Sequence, residues 1–147
     1  MEIGLVACTK SKRLIPSIPK ELYMASDLFK KKRKYCESYH QKWYILSAKH
    51  HLLYPDGPKI NPYDDTLKGA RKAIKEEWSR KVFNQLKERG LLKHKLVIHA
   101  GQDYYKYLIP LLKKAGVDFE IPTAHLGIGK QKAWYKEMTD KLSEISV

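Results

Sequence analysis

The sequence predicts an α/β fold, a three-layer α/β/α sandwich built on a four-stranded, mainly parallel sheet with strand order 2-1-3-4. Four short apolar runs alternate with segments whose apolar residues recur every three or four positions, which is the pattern of strands alternating with helices. The second run, residues 43–48, is apolar almost throughout, as expected of a strand that is buried on both faces. The 147 residues suffice for a single α/β domain, residues 1–147, with a substantial core.

The first half of the chain is predicted to contain a strand, a helix, a second strand and a long loop. Residues 2–8 form the first strand, and the next segment is a loop because it contains Pro16 and Pro19. A helix is predicted from about residue 20 to residue 39. Its apolar face consists of Leu22, Ala25, Leu28 and Phe29. Residues 49–65 carry three prolines and one glycine, and loops of this length are often functional.

The second half is predicted to contain three helices and two strands. Asp65 or Thr66 is expected to cap a helix that Gly90 ends. The apolar face of that helix consists of Ile74, Trp78, Val82, Phe83 and Leu86. Residues 95–100 form the third strand, and Pro110 is expected to kink or restart the next helix. Residues 117–122 form the fourth strand. The last helix presents Trp134, Met138, Leu142 and Ile145.

Charge and composition narrow the class of protein. The chain has 29 Lys and Arg against 16 Asp and Glu, a net charge of +13. This excess favours an anionic partner, either nucleic acid (DNA more than RNA) or a nucleotide, although a lysine-rich surface also serves solubility alone. The sequence has no membrane-length apolar stretch and no signal-peptide pattern, so a cytoplasmic protein without a membrane partner is expected. The two cysteines lack metal-ligand spacing, and neither a metal nor a cofactor is expected.

The loops that follow the four strands should meet at one edge of the sheet, because parallel strands end on the same side. The predicted strand order places a switch point between strands one and three, where open α/β sheets bind ligands. The first loop, CTKSK, offers hydroxyl and ammonium groups that suit a phosphate, or it is an ordinary polar connection. These groups belong to Thr9, Lys10, Ser11 and Lys12. Cys8 is either a nucleophile activated by the lysines or a buried strand residue.

The loop after the second strand carries further candidates. Ser47 and Lys49 are grouped with the phosphate-binding residues, and His50 can exchange a proton near neutral pH. Lys49 and His50 are equally well explained as solvated loop residues. Tyr63 can stack on a base or pack the loop down, and Asp64 is a candidate carboxylate.

The segment HAGQDYYKYL follows the third strand and carries the main catalytic candidate. Gly101 permits a sharp turn and a close approach of a ligand to the backbone. Gln102 can bind a substrate oxygen, and Tyr104 can form the wall of a base pocket. Asp103 can act on a water molecule or simply cap the next helix. His125, in the loop after the fourth strand, is a candidate because it is expected at the same edge.

The motifs CTKSK, ILSAKHHLL, PYDDTL and AGQDYYKYL resemble those of a family of uncharacterised small proteins from prokaryotes and their phages. That family has Cys-Thr or Cys-Ser followed by lysines, then Ser-Ala-Lys-x-Gly-Leu-Leu, Pro-Tyr-Asp, and Gly-x-x-Tyr near the third strand. The resemblance covers nearly the whole chain. His51 stands here at the glycine position of the second motif.

A more distant resemblance is to the uracil-DNA-glycosylase-like superfamily, whose folds have a four-stranded parallel sheet of this order between helices. Their water-activating motif, Gly-Gln-Asp-Pro-Tyr, is similar to GQDYY at residues 101–105, with Tyr104 in place of the proline. The glycosylase motif follows the first core strand, whereas GQDYY follows the third. A related-looking domain occurs in enzymes that modify archaeal tRNA bases, which keeps RNA among the possible substrates.

These observations favour an enzyme that acts on a nucleic-acid base or a nucleotide, most concretely a DNA-glycosylase-like hydrolase of the N-glycosidic bond. Asp103 would orient or deprotonate water, or stabilise an oxocarbenium-like sugar, and Asp64 is the next candidate carboxylate. His50 or His125 would hydrogen-bond the departing base. A target in duplex DNA would have to be flipped out of the stack. The alternative is a non-catalytic module that binds nucleic acid or a nucleotide.

Overall fold

A mixed five-stranded sheet forms the middle of the structure, a computed structural model that describes the backbone of residues 1–145 and the side chains of residues 1–142. The strands are β1 (Glu2–Ala7), β2 (Lys42–Ser47), β3 (His51–Leu53), β4 (Lys95–His99) and β5 (Phe119–Glu120). They are hydrogen-bonded in the order β3-β2-β1-β4-β5. Strands β2, β1, β4 and β5 are parallel, and β3 is antiparallel to β2.

The α/β class is confirmed, and the four predicted strands lie side by side in the predicted order. The prediction of a four-stranded sheet is wrong, because β3 returns along β2 as a hairpin. His51 turns the chain with a φ of 63°, and Leu52 then pairs with Leu46. A left-handed residue commonly closes such a hairpin, and glycine adopts that conformation most easily. His51 therefore holds the backbone shape that the glycine of the resembled motif would hold.

The described helices are α1 (Pro19–Leu22), α2 (Asp27–Tyr39), α3 (Lys72–Glu88), α4 (Gln102–Tyr105), α5 (Ile109–Lys114) and α6 (Ile128–Ile145). The single helix predicted from residue 20 to residue 39 is wrong, because the chain forms α1 and α2 there. Tyr23 leaves the helical conformation, and Ser26 starts α2 by accepting a hydrogen bond from the Phe29 amide at 3.1 Å. Pro110 restarts the helix after β4, as predicted.

The predicted start of α3 is also wrong. The residue that precedes this helix is Arg71, whose side chain makes no capping hydrogen bond. Thr66 instead accepts a hydrogen bond from the Lys68 amide at 3.1 Å, which closes a local turn within the loop. Asp65 is exposed in the same loop. Gly90 does end the helix, with a φ of 70°.

Two apolar layers hold the sheet between the helices. One face of the sheet packs against α3 and α5 through Ile3, Leu5, Leu96, Ile98, Trp78, Val82, Leu86 and Leu112. The other face packs against α2 through Val6, Ile45, Phe29 and Cys36. On α6 the fully buried residue is Tyr135, and the side chain of Ile145 lies outside the described residues. Ile74, predicted on the apolar face of α3, is exposed. None of the described helices combines the length and apolar character of a membrane span.

Lys32 of α2 is buried in this second layer, with only 4% of its surface exposed. It forms no ion pair with any described residue, and the cysteines Cys36 and Cys8 are its main electrostatic neighbours. Burial lowers the pKa of Lys32 from 10.5 to about 8, because the apolar surroundings disfavour the charged amine. The fold therefore carries a buried amine whose charge costs stability at neutral pH.

His51 provides the first testable prediction. An L-residue in the left-handed region costs about 1 kcal/mol relative to glycine, so we expect His51→Gly to be about 1 kcal/mol more stable than His51→Ala. Urea unfolding of the two variants measures the difference. Lys49 is a matched control in the same turn, because its φ is not positive. Lys49→Gly should be less stable than Lys49→Ala by roughly 0.5–1 kcal/mol. Equal stability of the two His51 variants would show that the left-handed conformation at this position carries no strain.

Lys32 provides the second prediction. Its pKa is lower in the folded chain than in the unfolded chain, so between about pH 8 and pH 10.5 the unfolded chain binds more protons. The free energy of unfolding should therefore rise with pH in that window, by up to about 3 kcal/mol. Below pH 8 both states are charged and the cost is constant.

Urea unfolding of the wild type and of Lys32→Met across pH 7–10.5 tests this dependence. The difference between the two proteins should shrink as the pH rises, because the variant lacks the amine. Lys34→Met, on an exposed position of the same helix, is the control and should follow the wild type. A constant difference between wild type and Lys32→Met would show that the buried amine does not titrate in this range.

Candidate functional site

The fold has a switch point between β1 and β4, as the strand order predicted. After β1 the chain crosses to β2 through α2 on one face of the sheet, whereas after β4 it crosses to β5 through α5 on the opposite face. The two connections diverge and leave a crevice at the carboxyl edge between the two strands. Cys8 directly follows β1, and Gly101 comes two residues after the end of β4. Each begins one of the sequence motifs described above.

Tyr104 closes part of this crevice over Cys8. The phenol oxygen lies 3.3 Å from the Cys8 sulfur, and the Trp78 ring packs edge-on against the Tyr104 ring with centroids 5.4 Å apart. The Ala48 amide donates a further hydrogen bond to the same sulfur at 3.4 Å. Cys8 is 8% exposed. The structure therefore favours the second of the two expectations for Cys8, a buried residue that links the ends of β1, β2 and β4.

A chain of buried hydroxyl groups lies on the β2 side of Cys8. The Tyr63 hydroxyl is 2.7 Å from the Ser47 hydroxyl and 2.6 Å from that of Tyr23, and the His50 amide donates to Ser47 Oγ at 2.9 Å. Burial raises the pKa of Tyr63, and nearby Cys8 adds to the shift. Only 7% of Tyr63 is exposed. This tyrosine packs the loop down and offers little surface for stacking on a base.

The CTKSK loop folds over this hydroxyl chain. The Lys12 ammonium lies 4.5 Å from the centre of the Tyr63 ring and donates a hydrogen bond to the Lys10 carbonyl at 3.3 Å. Burial lowers the pKa of Lys12, and Cys8, Asp64 and Asp65 oppose that shift. The Thr9 hydroxyl donates to the Ser11 carbonyl at 3.1 Å. The Lys12 ammonium and the Thr9 hydroxyl are therefore both hydrogen-bonded to carbonyl groups of the loop itself.

The remaining residues that were predicted to bind phosphate or to transfer protons lie in the neighbouring loops. Lys10, Ser11, Lys49 and Asp64 are exposed. The His50 ring packs edge-on against Tyr63 with centroids 5.4 Å apart. Burial lowers the pKa of His50, and Lys49 acts in the same direction. This side of the edge therefore presents exposed ammonium groups on two neighbouring loops, together with the carboxylate of Asp64.

Asp103 does not cap a helix. Gly101 is the residue that precedes α4, no side chain caps that helix, and Asp103 lies in its first turn. Its Oδ1 accepts a hydrogen bond from the Lys75 ammonium of α3 at 2.6 Å, in an ion pair whose carboxylate side chain is 39% exposed. The expectation of a capping role is therefore wrong. Asp103 is partly accessible and is already paired with a cation.

A cavity of about 310 Å³ opens at the end of β4, on the side away from β2. It is lined by Ala100, Gly101, Gln102, Tyr105, Thr123, His125, Leu126, Gly127 and Gln131. His125 reaches it from the loop after β5, in a left-handed conformation with a φ of 67°. Gln131 donates a hydrogen bond from Nε2 to the Leu126 carbonyl at 2.8 Å. Of the predicted residues, Gly101, Gln102 and His125 line this cavity and Asp103 does not.

Gln131 was missed by the sequence analysis. The only signal for it is its place in the first turn of α6, just after the loop that follows β5. That loop reaches the carboxyl edge, so polar residues in the first turn of the following helix also belong among the candidates.

A second polar cluster lies between the sheet and α2, below the carboxyl edge, with Cys36 and His99 buried and His40 half-buried. Cys36, His40 and His99 each place one possible metal-ligating atom within 4.8 Å of the others. The Nε2 atoms of the two histidines are 3.0 Å apart, and His99 Nδ1 is 2.7 Å from the Tyr135 hydroxyl. Burial lowers the pKa of His40 and brings that of His99 well below its ordinary value. Among the described residues these three are the set that can hold a metal.

Comparison with known proteins identifies a family but no activity. Residues 3–137 match the model of a family described as a family of unknown function (DUF6884). No curated protein and no solved structure matches the chain. The comparisons give no link to the uracil-DNA-glycosylase-like superfamily. Because the match covers most of the chain, the protein belongs to the DUF6884 family of unknown function.

Proposed function

We propose that the chain binds a nucleotide or a nucleic-acid base in the cavity at the end of β4 and hydrolyses its N-glycosidic bond. The observation that carries this proposal is the lining of the cavity. Gln102 and Gln131 supply amides, and His125 supplies an imidazole, around a space of about 310 Å³. Amides and imidazoles both donate and accept hydrogen bonds, which the edge of a base requires.

The position and size of the cavity also support a small ligand. It lies at the carboxyl end of β4, beside the switch point where open α/β sheets bind ligands. Its volume is at the low end of the roughly 300–1,000 Å³ typical of small-molecule pockets, which suits a base better than a whole cofactor. Tyr105 provides an aromatic wall.

The lysines at the carboxyl edge are suited to the phosphate groups of such a ligand. Lys10 and Lys49 are exposed on the loops after β1 and β2, and the Lys12 ammonium lies over the ring of Tyr63. Together with the net charge of +13, these ammonium groups suit the phosphates of a nucleotide or of DNA. The proposed site thus divides into a base-binding cavity and a phosphate-binding surface.

The proposed chemistry assigns separate roles to His125 and Asp103. Water attacks the anomeric carbon, the glycosidic bond breaks, and the base leaves with a proton. His125 faces the cavity and is placed to hydrogen-bond the departing base. Lys75 occupies Oδ1 of Asp103, which leaves Oδ2 to orient the water. The similarity of GQDYY to the glycosylase motif points in the same direction. Asp64 and His50 do not line the cavity and are weaker candidates.

A non-catalytic binding module is the second candidate, and the Lys75–Asp103 ion pair favours it. A carboxylate held by a lysine at 2.6 Å is a common structural arrangement between two helices. In that case the cavity and the lysines bind the same ligand, and no bond is broken.

The binding half of the proposal predicts the effect of His125→Asn. Asparagine tolerates the left-handed conformation of this position, so the fold should be unaffected. We expect the affinity for the nucleoside monophosphate that binds best to fall roughly tenfold, through loss of one hydrogen bond in the cavity. Titration calorimetry with the common nucleoside monophosphates measures this. His94→Asn, at the opposite edge of the sheet, is the matched control and should bind as the wild type does. Unchanged affinity in His125→Asn would remove the cavity from the binding site.

The catalytic half predicts the effect of Asp103→Asn. The change keeps the size of the side chain but removes its charge, so release of free base should fall at least about 100-fold while ligand binding survives. Loss of the ion pair should cost less than about 1 kcal/mol of stability, because the carboxylate is partly exposed.

Chromatography of bases released from oligonucleotides carrying normal, deaminated or methylated bases measures turnover. Lys75→Met is the control, since it breaks the same ion pair but keeps the carboxylate. An Asp103→Asn protein as active as the wild type would exclude Asp103 from the reaction. Ligand binding by the wild type without release of any base would identify the binding module instead.

A further inference from the structure

The buried cluster of Cys36, His40 and His99 has the chemistry of a transition-metal site. We infer that these three side chains bind a Zn²⁺ ion or a similar borderline metal between α2 and the sheet. Thiolate and imidazole ligands favour such metals over Mg²⁺ and Ca²⁺, which prefer oxygen. The inference is independent of the proposed function, because none of these residues lines the cavity at the end of β4.

The distances suit a shared ion. Two imidazole nitrogens bound to Zn²⁺ at about 2.0–2.1 Å in a tetrahedral site lie roughly 3.3 Å apart. The Nε2 atoms of His40 and His99 are 3.0 Å apart, so a slight separation makes room for the metal. The Cys36 sulfur lies within 4.8 Å of a nitrogen on each ring. A nitrogen and a sulfur on one Zn²⁺ are roughly 3.6 Å apart, and a small side-chain rotation covers the remaining distance.

The fold brings these residues together for reasons that can be traced. Cys36 is in the last turn of α2, and His40 is the residue that directly follows the helix, with an extended backbone. The His40 amide still donates a hydrogen bond to the Cys36 carbonyl at 2.9 Å, which keeps the two residues adjacent. His99 comes from the end of β4, 59 residues after His40. Gly4 of β1 makes the space. A Cβ atom there would lie 2.7 Å from His40 Cδ2 and 2.9 Å from Cys36 Sγ, so any larger residue would displace two of the ligands.

The hydrogen bonds around the cluster also point to a ligand. Tyr135 Oη lies 2.7 Å from His99 Nδ1. If that nitrogen carries the proton, the Nε2 lone pair of His99 faces the cluster, as in metal sites whose histidines are held by an outer hydrogen bond. The Nε2 of His40 faces the same point, and one of the two must be protonated unless a metal replaces that proton. His40 Nδ1 is buried without a hydrogen-bond partner among the described residues, and this nitrogen would carry the proton of the ring when Nε2 binds a metal.

The positive charge of Lys32 also affects the binding of a metal ion at this cluster. Lys32 lies close enough to act electrostatically on both Cys36 and His99. Burial raises the pKa of the Cys36 thiol and the positive charge of Lys32 only partly opposes that shift, so Cys36 would release its proton when a metal binds. The positive charge of Lys32 opposes a bound cation, and the thiolate formed on binding offsets one of the two charges of the ion. A metal held here would join the end of α2 to β4 and act on stability, not on the chemistry of the cavity.

Metal titration of the full chain tests the inference. The protein is freed of metal with a chelator, then titrated with Co²⁺, whose spectrum reports its ligands, and with Zn²⁺. We expect one equivalent of metal per chain and a thiolate-to-cobalt charge-transfer band. Zn²⁺ should raise the melting temperature by several degrees, since an ion that binds only the folded chain stabilises it. Cys36→Ser should lose the band, and His40→Gln should bind metal at least tenfold more weakly.

Two variants serve as matched controls. Cys8→Ser removes the other buried cysteine, and His94→Asn removes a histidine outside the cluster, so both should retain the band. Retention of the band in Cys36→Ser, or its loss in Cys8→Ser, would overturn the assignment. If Cys36→Ser does not fold, the wild type alone decides. An unchanged melting temperature with Zn²⁺, together with no bound metal after gel filtration, would show that the cluster is a hydrogen-bond network only.

Discussion

The carboxyl edge of the sheet depends on one chain of buried hydroxyl groups. Tyr63 is hydrogen-bonded to Tyr23 at 2.6 Å and to Ser47 at 2.7 Å. These residues belong to the long loop, the segment after α1, and β2. A buried hydroxyl without a partner costs about 1–3 kcal/mol, so separating any of the three segments from this point would lower the stability of the fold by an amount of that order. The loops that carry Lys12 and His50 rest directly on these tyrosines.

This constraint divides the edge into two halves of different character. On the β2 side the buried side chains are packed and hydrogen-bonded to one another, and the ammonium groups of Lys10 and Lys49 are at the surface. On the β4 side the chain leaves a cavity lined by amides and an imidazole. The Cys8–Tyr104 contact separates the two halves. A ligand that uses both must therefore have an anionic part and a part rich in hydrogen-bonding groups. This is the physical reason for favouring a nucleotide.

Local sequence pattern was enough to predict the class and the order of the parallel strands, because apolar runs and helical periodicity are local signals. It failed where a single residue adopts a conformation that its type does not suggest. His51 turns left-handed without being glycine, and β3 was missed for that reason. Ser26 was not recognised as the start of α2, because the helical periodicity continues across the break. Capping of the next helix was one of the two interpretations of Asp103, but Lys75 of α3 provides a partner from a distant segment.

Local sequence pattern also predicted only part of the two candidate sites. The residues at strand ends were predictable, because parallel strands bring their ends to one edge. Gln131 and His99 were not, since their importance comes from neighbours that are distant in sequence. A histidine at the end of the apolar run KLVIH is unusual in a strand buried on both faces, and Cys36 and His40 lie four positions apart in the sequence. Either signal alone is weak, and only the fold combines them.

The geometry of α4 sets a condition on any hydrolytic mechanism. Consecutive residues in a helical turn point about 100° apart, so Gln102 faces the cavity while Asp103 faces α3 and its partner Lys75. A base held by Gln102 and a water held by Asp103 are therefore not on the same side of the turn. They can meet across Gly101, where the space that a Cβ atom would occupy is open. A side chain at this position would lie between the base and the water, so the proposed reaction depends on the small size of Gly101 as well as on the charge of Asp103.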